Sequence, residues 1–500
     1  MKKIPVLYGY SIDRDFSREF SYIEDIFGIK SEEIWDGTIE MDDREYSSIP
    51  DRASSYFDRS YTTFDLENRF IHSTGKSSVE VLKWRLGIKP YIVDAVLEPD
   101  YFNISDIIKN LKNSGYRALI YGGGTSVNGS FILEDPEKFV SVDTSRLSKI
   151  KMNGSMVTAG AGVKGVELEN YLNTYGLTCG QFPESFMYST VGGWIATKAT
   201  GQESNLYGGI EDMVISLKAA TSSGIYKDNC VPRESAGTQA KSIFTGSEGN
   251  YGIIMEATLK AFKMPAQRYY KSYIFRDFIS GIEYIRSLKN VPTVLRFSDA
   301  TETEIAIKSS GDTLLKRIFL NYLKIRHADS GCIMVIVNND SKPGDKVENA
   351  IYTGKYPAIQ WFRDRYSRPG LANILWKHGY IPDTLETSAA WDNLKPLYES
   401  TIAIFNSIKT ELKFSGIIMA HISHVYLTGA CIYFTIIIRS DKPMEHLIEI
   451  RHKMVNNFLK NHAAITDHHG IGTLFREYLS EEELSLQSRL YDPVFSRWYT

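Results

Sequence analysis

The chain has 500 residues, 43% hydrophobic and 23% charged, which suits two to four packed domains and excludes a disordered chain. With 57 Lys+Arg against 60 Asp+Glu the net charge is −3, so nucleic acid finds no global electrostatic attraction. Four scattered cysteines without a Cys-x-x-Cys pair argue against a zinc ribbon or a disulfide framework, and the best apolar run, Gly429 to Ile438, is strand-length, far from the ~20 residues that span a bilayer.

At the N-terminus the apolar stretch breaks at Asp13, unlike a secretory leader, and the C-terminal Arg-Trp-Tyr-Thr is no Ser-Lys-Leu address. A reducing, cytoplasmic compartment is expected. Residues 31–70 hold eleven Asp/Glu against four Arg and read as a segment lying over the surface of something else, or as a solvated loop region. From about residue 90 an α/β pattern begins. Ala95–Glu98 is a short strand stopped by Pro99. Ile104, Ile107, Ile108 and Leu111 recur at helical spacing, with Gly115 as a stop. Tyr116–Tyr121 is a strand that runs into Gly122-Gly-Gly-Thr-Ser-Val127. Met156–Ala159 predicts a further strand, and Val166, Leu168, Leu172 and Tyr175 a helix. Met264–Arg268 reads as a linker. Beyond it, strands at 269–275, 332–337 and 431–438 alternate with helices at 280–289 and 445–460, which predicts an antiparallel sheet with helices on one face.

Two glycine-rich segments compete for a phosphate-binding role. Gly160-Ala-Gly-Val-Lys-Gly165 matches Gly-x-Gly-x-x-Gly, but no following βαβ unit with an acidic strand end supports it, and a tight strand-to-helix turn is the favoured reading. Gly122-Gly123-Gly124-Thr125-Ser126-Val127 offers successive N–H groups for an anion nest and lacks the Walker lysine. An ordinary glycine turn is the alternative. Downstream clusters favour a ligand: Pro183-Glu184-Ser185, then Ser189-Thr190-Val-Gly192-Gly193, then Glu248-Gly249-Asn-Tyr-Gly252-Ile253. One extended ligand held mainly by backbone N–H groups explains the series. His421 and His424, at i, i+3 before a strand, lack a third ligand, and no metal is expected.

This order of motifs resembles the PCMH-type FAD-binding domain of the vanillyl-alcohol oxidase superfamily. The resemblance implies an α+β fold: a two-subdomain FAD-binding domain over residues 86–264, an N-terminal extension over 1–85, a cap domain with an antiparallel sheet flanked by helices over 265–440, and a C-terminal helical segment over 441–500. It implies FAD, held non-covalently because no histidine adjoins the Gly122 loop. The D-lactate dehydrogenase branch carries a Gly-Asp-Gly-Asn-x-His segment that is absent here. Ser423–Thr435, Val294–Asp299, Asp383–Trp391, Asp467–Gly472, Tyr8–Asp13 and Asp65–Lys76 instead resemble the alkyldihydroxyacetonephosphate synthase family.

That resemblance implies a redox-neutral exchange, through a flavin N5 adduct, of the acyl group of acyl-dihydroxyacetone phosphate for a fatty alcohol. It implies Tyr433 as proton relay, His469 as general base with His468 in support, Arg296 near flavin and phosphate, and Thr384 lining the substrate site. The chain departs from the family pattern at Asp467, where the family has a histidine, and at Ala372, opposite a family arginine; Arg368 or Arg365 is the expected substitute. An FAD-linked dehydrogenase or oxidase of a 2-hydroxy acid or other alcohol, using Tyr433 and His469, is the alternative. Expected partners are lipid substrates, a membrane surface met peripherally, and a second copy of the chain.

Overall fold

The computed structural model describes residues 2–8, 14–42, 52–133, 138–309, 321–326, 328, 330–342, 347 and 349–496. Residues 9–13 of the expected Tyr8–Asp13 match lie outside them.

The half expected to bind FAD is built on two small sheets. In the first, Val96–Leu97, Phe139–Asp143 and Arg117–Tyr121 pair in parallel, and Thr62–Thr63 adds an antiparallel edge. Helix Ile104–Ser114 is the connection that parallel pairing requires; it buries Ile104, Ile107, Ile108 and Leu111 and stops at Gly115 in the left-handed conformation. The second sheet is antiparallel, in the order Gly224–Lys227, Val214–Thr221, Ile253–Lys260, Met156–Gly160, Ile150–Asn153. The Gly160–Gly165 segment is the tight turn from strand Met156–Gly160 into helix Gly165–Asn173. A Cβ at Gly162 would overlap the Thr144 carbonyl, so this glycine serves packing.

The cap is a seven-stranded antiparallel sheet in the order Ala350–Gly354, Arg268–Phe275, Cys332–Asn339, Val294–Ser298, Ser415–Val425, Gly429–Arg439, Ile381–Ala390. Its apolar face, with Phe297, Ile422, Ile432 and Phe434, packs in one core with residues of helices Phe278–Ser287, Trp391–Leu412 and Pro443–Lys460. The opposite face of the central strands carries the polar residues of interest. The predicted strands and helices on both sides of the linker are present, each within a few residues of its expected ends.

The N-terminal residues are shared between the two halves. Strand Lys2–Pro5 pairs with Thr38–Met41, and helix Ser17–Phe27 packs on helices Ala300–Lys308 and Pro369–Lys377. Helix Ser78–Arg85 starts with a full capping box at Ser77 and Glu80 and rests on strand Ile381–Ala390. No helix among the described residues is long and apolar enough to cross a membrane.

Candidate active site

Between the glycine loops and the polar face of the cap sheet lies a cleft of about 1700 Å³. That exceeds the roughly 300–1,000 Å³ of ordinary small-molecule sites, so a large cofactor and a second ligand fit together. One wall is made by Gly122–Val127, Pro183–Ser185, Ser189, Thr190, Gly192, Gly193, Glu248, Gly249 and Gly252. Ile253, expected here, is in the core; its neighbour Ile254 lines the cleft, because adjacent strand residues face opposite ways.

The glycines bring loop against loop. A Cβ at Gly122 would stand 2.5 Å from Thr190 Oγ1. One at Gly123 would overlap the Tyr188 carbonyl, and Gly124 sits at φ +63°. The Cβ positions of Gly122 and Gly123 are thus taken by the facing segment, which is why glycine stands there. The contact sets the Gly122 loop beside the Tyr188–Gly193 segment, and both line the cleft. Thr190 caps helix Val191–Thr197, its Oγ1 accepting from Gly193 N at 3.3 Å.

Lys76 closes the far side of the Gly123–Thr125 loop. Its Nζ donates to the Val6 carbonyl at 2.8 Å, and burial lowers its pKa to about 8. A buried ammonium beside a glycine nest suits a pyrophosphate, and the residues present fit FAD. Since no histidine of the Gly122 loop offers a covalent link, acid-denatured protein is expected to release all its FAD into the supernatant; flavin that stays on the polypeptide would refute non-covalent binding.

The opposite wall is the cap sheet. Residues directly opposed in adjacent strands share a face. Glu386, Tyr433, His421 and Ser298 are opposed in turn and form one row. Thr384, Thr435 and Met419 form the next, with the two threonine hydroxyls 3.4 Å apart. His421 and His424 lie within a strand and not before one. At i, i+3 they would face opposite ways, but a bulge between Ile422 and His424 returns both to the cleft. The His421 ring stacks on Tyr433 at 4.7 Å, and His424 Nε2 lies 3.5 Å from Tyr433 Oη.

The loop 466–472 crosses above this row, gripped from two sides. From the cap, Glu386 accepts from the Thr466 hydroxyl and from the N–H groups of Asp467, His468 and His469 at 2.7, 3.2 and 3.1 Å. From the FAD-binding half, Glu248 accepts from Ile471 N at 2.7 Å and Gly472 N at 2.9 Å. The Glu248 carboxylate, expected to hold cofactor, therefore has these loop amides as partners.

The grip decides which histidine meets Tyr433. His468 Nε2 stands 2.5 Å from Tyr433 Oη, and its Nδ1 is 2.8 Å from Asp467 Oδ2. Tyr426 donates to Asp467 Oδ2 at 2.8 Å. His469, the expected base, is partly exposed with Nδ1 3.5 Å from Glu386 Oε1. The structure thus places His468, the expected supporter, in the position of direct partner.

Charge follows burial and neighbours. Burial works against a charged His468, yet Glu386 and Asp467 outweigh it and its pKa is raised. Burial lowers His469 and His421 to about 4 and His424 to about 3, leaving neutral rings. Burial, with Cys431, Glu386 and Asp467 adding repulsion, pushes the Tyr433 phenol well above its ordinary value.

Ligating atoms of Glu386, Cys431, Asp467 and His468 lie within 4.8 Å of one another. Glu386 is already committed to its N–H donors, and burial pushes the Cys431 thiol up, toward its non-ligating neutral form. The cluster is a hydrogen-bond network.

Further along the same wall, Arg296 donates to Glu302, and Nη2 also reaches His421 Nδ1 at 3.1 Å. Arg368 Nη1 is 3.7 Å from the same Glu302 carboxylate. Arg365 stacks over Phe362 and Tyr366 and donates to the Phe362 carbonyl, so of the two expected substitutes Arg368 is the one near Arg296. Ala372 lines the cleft one turn beyond Arg368. Glu302 was not legible as a site residue, because it looks like an ordinary first-turn acid of helix Ala300–Lys308. Past the threonine row the cleft becomes apolar, lined by Ile23, Ile305, Leu371, Leu375, Met419 and Ile437.

Residues 96–228 match the FAD binding domain family, and residues 264–491 match the C-terminal domain of FAD linked oxidases. Alkyldihydroxyacetonephosphate synthase of Dictyostelium discoideum is 29% identical over 81% of this chain and 71% of its own. That of Caenorhabditis elegans is 27% identical over 82% and 75%. The solved structure of an alkyldihydroxyacetonephosphate synthase superposes with a TM-score of 0.78 at 24% identity, covering 96% of this chain and 92% of that one.

Proposed function

We propose that this protein, an FAD-dependent enzyme related to the alkyldihydroxyacetonephosphate synthases and built from a PCMH-type FAD-binding domain and a cap, exchanges the acyl group of an acyl-dihydroxyacetone lipid for a fatty alcohol. The resemblance read from the sequence is borne out as to fold, cofactor and enzyme class. The exchange itself is supported most by one observation: the 2.5 Å contact of Tyr433 Oη with His468 Nε2, set between a glycine-built cofactor wall and an apolar arm.

The reaction balances without a redox change. The bond from the headgroup carbon to the ester oxygen breaks, and the alcohol oxygen bonds to that carbon. The alcohol proton leaves with the carboxylate as fatty acid. Bound FAD supplies the ring chemistry that activates the headgroup carbon. The protein supplies proton movement. Tyr433 Oη carries the proton to the leaving carboxylate and takes one from the entering alcohol. His468 Nε2 exchanges with Tyr433, and Asp467 fixes the ring through Nδ1. The apolar arm holds the hydrocarbon chain and keeps bulk water out. Both lipids are poorly soluble, which supports an enzyme that meets membranes peripherally.

Asp467 raises the His468 pKa, so removing its charge must lower it. Protonated His468 keeps the proton on Tyr433 for the leaving carboxylate, and activity should fall as pH rises through the His468 pKa. Asp467→Asn is expected to move that alkaline limb of kcat/KM to lower pH with FAD content unchanged. A limb that stays in place would remove Asp467 from the relay. The proposal as a whole is tested by incubating FAD-loaded protein with acyl-dihydroxyacetone lipid and labelled long-chain alcohol. Label in an ether-linked ketone supports it; flavin bleaching by a hydroxy acid under argon, without ether formation, would favour alcohol dehydrogenation.

A further inference from the structure

Residues two apart on a strand face the same way and stand about 6.6 Å from one another, so the floor of the cleft can be measured from Tyr433. On strand Gly429–Arg439 the residues that line the cleft after Tyr433 are Thr435 and Ile437. Thr435 lies between Thr384 and Met419, and Ile437 lies between Pro382 and Ile417. The floor thus passes two threonine hydroxyls and turns apolar. A second apolar stretch of the wall, at Ile274 and Ile333, is on strands beyond Val294–Ser298. To reach it from Tyr433, an alkyl chain would cross the charged pair of Arg296 and Glu302. The path over Ile437 is the one that suits hydrocarbon.

That path is closed by the N-terminal helix. Phe16, Glu19 and Ile23, at i, i+3 and i+7, turn one stripe of helix Ser17–Phe27 to the cleft. Ile23 is 1% exposed and packs with Ile305, Leu375, Met419 and Ile437. Phe27, the next residue of the stripe, stands edge-on to the Tyr380 ring at 5.0 Å, and Phe20 meets the same ring at 6.1 Å. Tyr380 is fully buried, and Arg439, two residues past Ile437, lies over it at 5.2 Å. Floor and roof therefore meet just past Ile437, and Ile23 is the last side chain of the roof before they do. The helix is fastened along its length. Tyr22 Oη donates to Glu304 Oε1 at 2.8 Å, Arg14 Nη1 lies 3.4 Å from Asp364 Oδ2, and Glu24 Oε1 accepts from Ser31 N at 2.6 Å. A wall packed and tied in this way resists a chain that is too long.

From Tyr433 to Ile437 the strand advances about 13 Å. An extended alkyl chain advances about 1.25 Å per carbon, from bonds of about 1.5 Å at about 111°. We propose that Ile23 is the stop that sets the length of hydrocarbon accepted, and that the arm fits chains of about ten to twelve carbons. The proposal rests on the exchange reading for what the chain is attached to. The leaving acyl group and the entering alcohol bond to the same headgroup carbon, so both are measured against this stop.

The test gives FAD-loaded enzyme an acyl-dihydroxyacetone lipid with labelled n-alkanols, one at a time, from octanol to octadecanol. The affinity for each alkanol is also measured by calorimetry without the acyl lipid. Both kcat/KM and affinity are expected to rise about fourfold per added methylene, the worth of one buried CH₂, and to fall beyond about ten to twelve carbons. Ile23→Ala, which opens the end, is expected to move the optimum about two carbons longer, and Ile23→Phe about two carbons shorter. Wild-type affinity that keeps rising through octadecanol overturns the proposal. An optimum that stays in place in a folded, flavin-loaded variant also overturns it. If no alkanol carries label into an ether, the exchange reading falls, and the binding profile still decides whether Ile23 is the stop. The wild-type profile decides the matter even if both variants fail to fold.

Discussion

Tyr433→Phe enzyme should stay yellow and lose turnover by about 10²–10⁴-fold, the usual worth of a positioned acid or base. Only the hydroxyl is removed. The ring remains stacked on His421 at 4.7 Å, and the strand pairings to Glu386 and His421 are made by backbone, so the cleft keeps its shape. What disappears is the oxygen 2.5 Å from His468 Nε2. FAD content per chain, read from the visible spectrum, should match the parent. Steady-state exchange with labelled alcohol should show the loss in kcat more than in KM, as the proposed proton relay requires. Near-normal turnover would take Tyr433 out of the chemistry and leave it as a packing residue.

Gly123→Val should abolish FAD retention. The added Cβ would overlap the Tyr188 carbonyl and crowd the Ser189 main chain, neither of which can rotate away as a side-chain end could. The Gly122 loop and the Ser189–Gly193 segment must then separate, and the two halves of the cofactor wall no longer face one ligand. Gel filtration followed by the ratio of visible to ultraviolet absorbance measures the outcome. The expected result is a folded but colourless protein. Stoichiometric flavin in the variant would mean that these two segments do not jointly hold the cofactor.

The parts legible in the sequence are those where a local rule suffices. Glycine clusters announced a backbone-lined cleft, and the 3.6 and 2 periodicities located strands such as Gly429–Arg439 and helices such as Ile104–Ser114. The partner of Tyr433 was not legible. His468 and His469 are adjacent, and which ring turns inward is decided by Glu386, about eighty residues earlier, taking hold of three successive amides. His421 and His424 look like a helical or opposed pair until a bulge sets both on one face. Ile253 and Ile254 differ by one position on a strand, and only the register says which one faces the cleft. Glu302 carried no signal, because its meaning comes from two arginines on other elements.

The grip of Glu386 on loop 466–472 has a consequence for how such a site can change over time. It seizes mainly main-chain N–H groups, and those exist whatever side chains the loop bears. A codon change at 467 or 469 therefore leaves the main chain of His468 where it is. The loop behaves as a socket: the anchored histidine is constant, and its neighbours can be exchanged to retune the proton affinity of the relay without rebuilding the scaffold. Asp467 is then one setting of a dial.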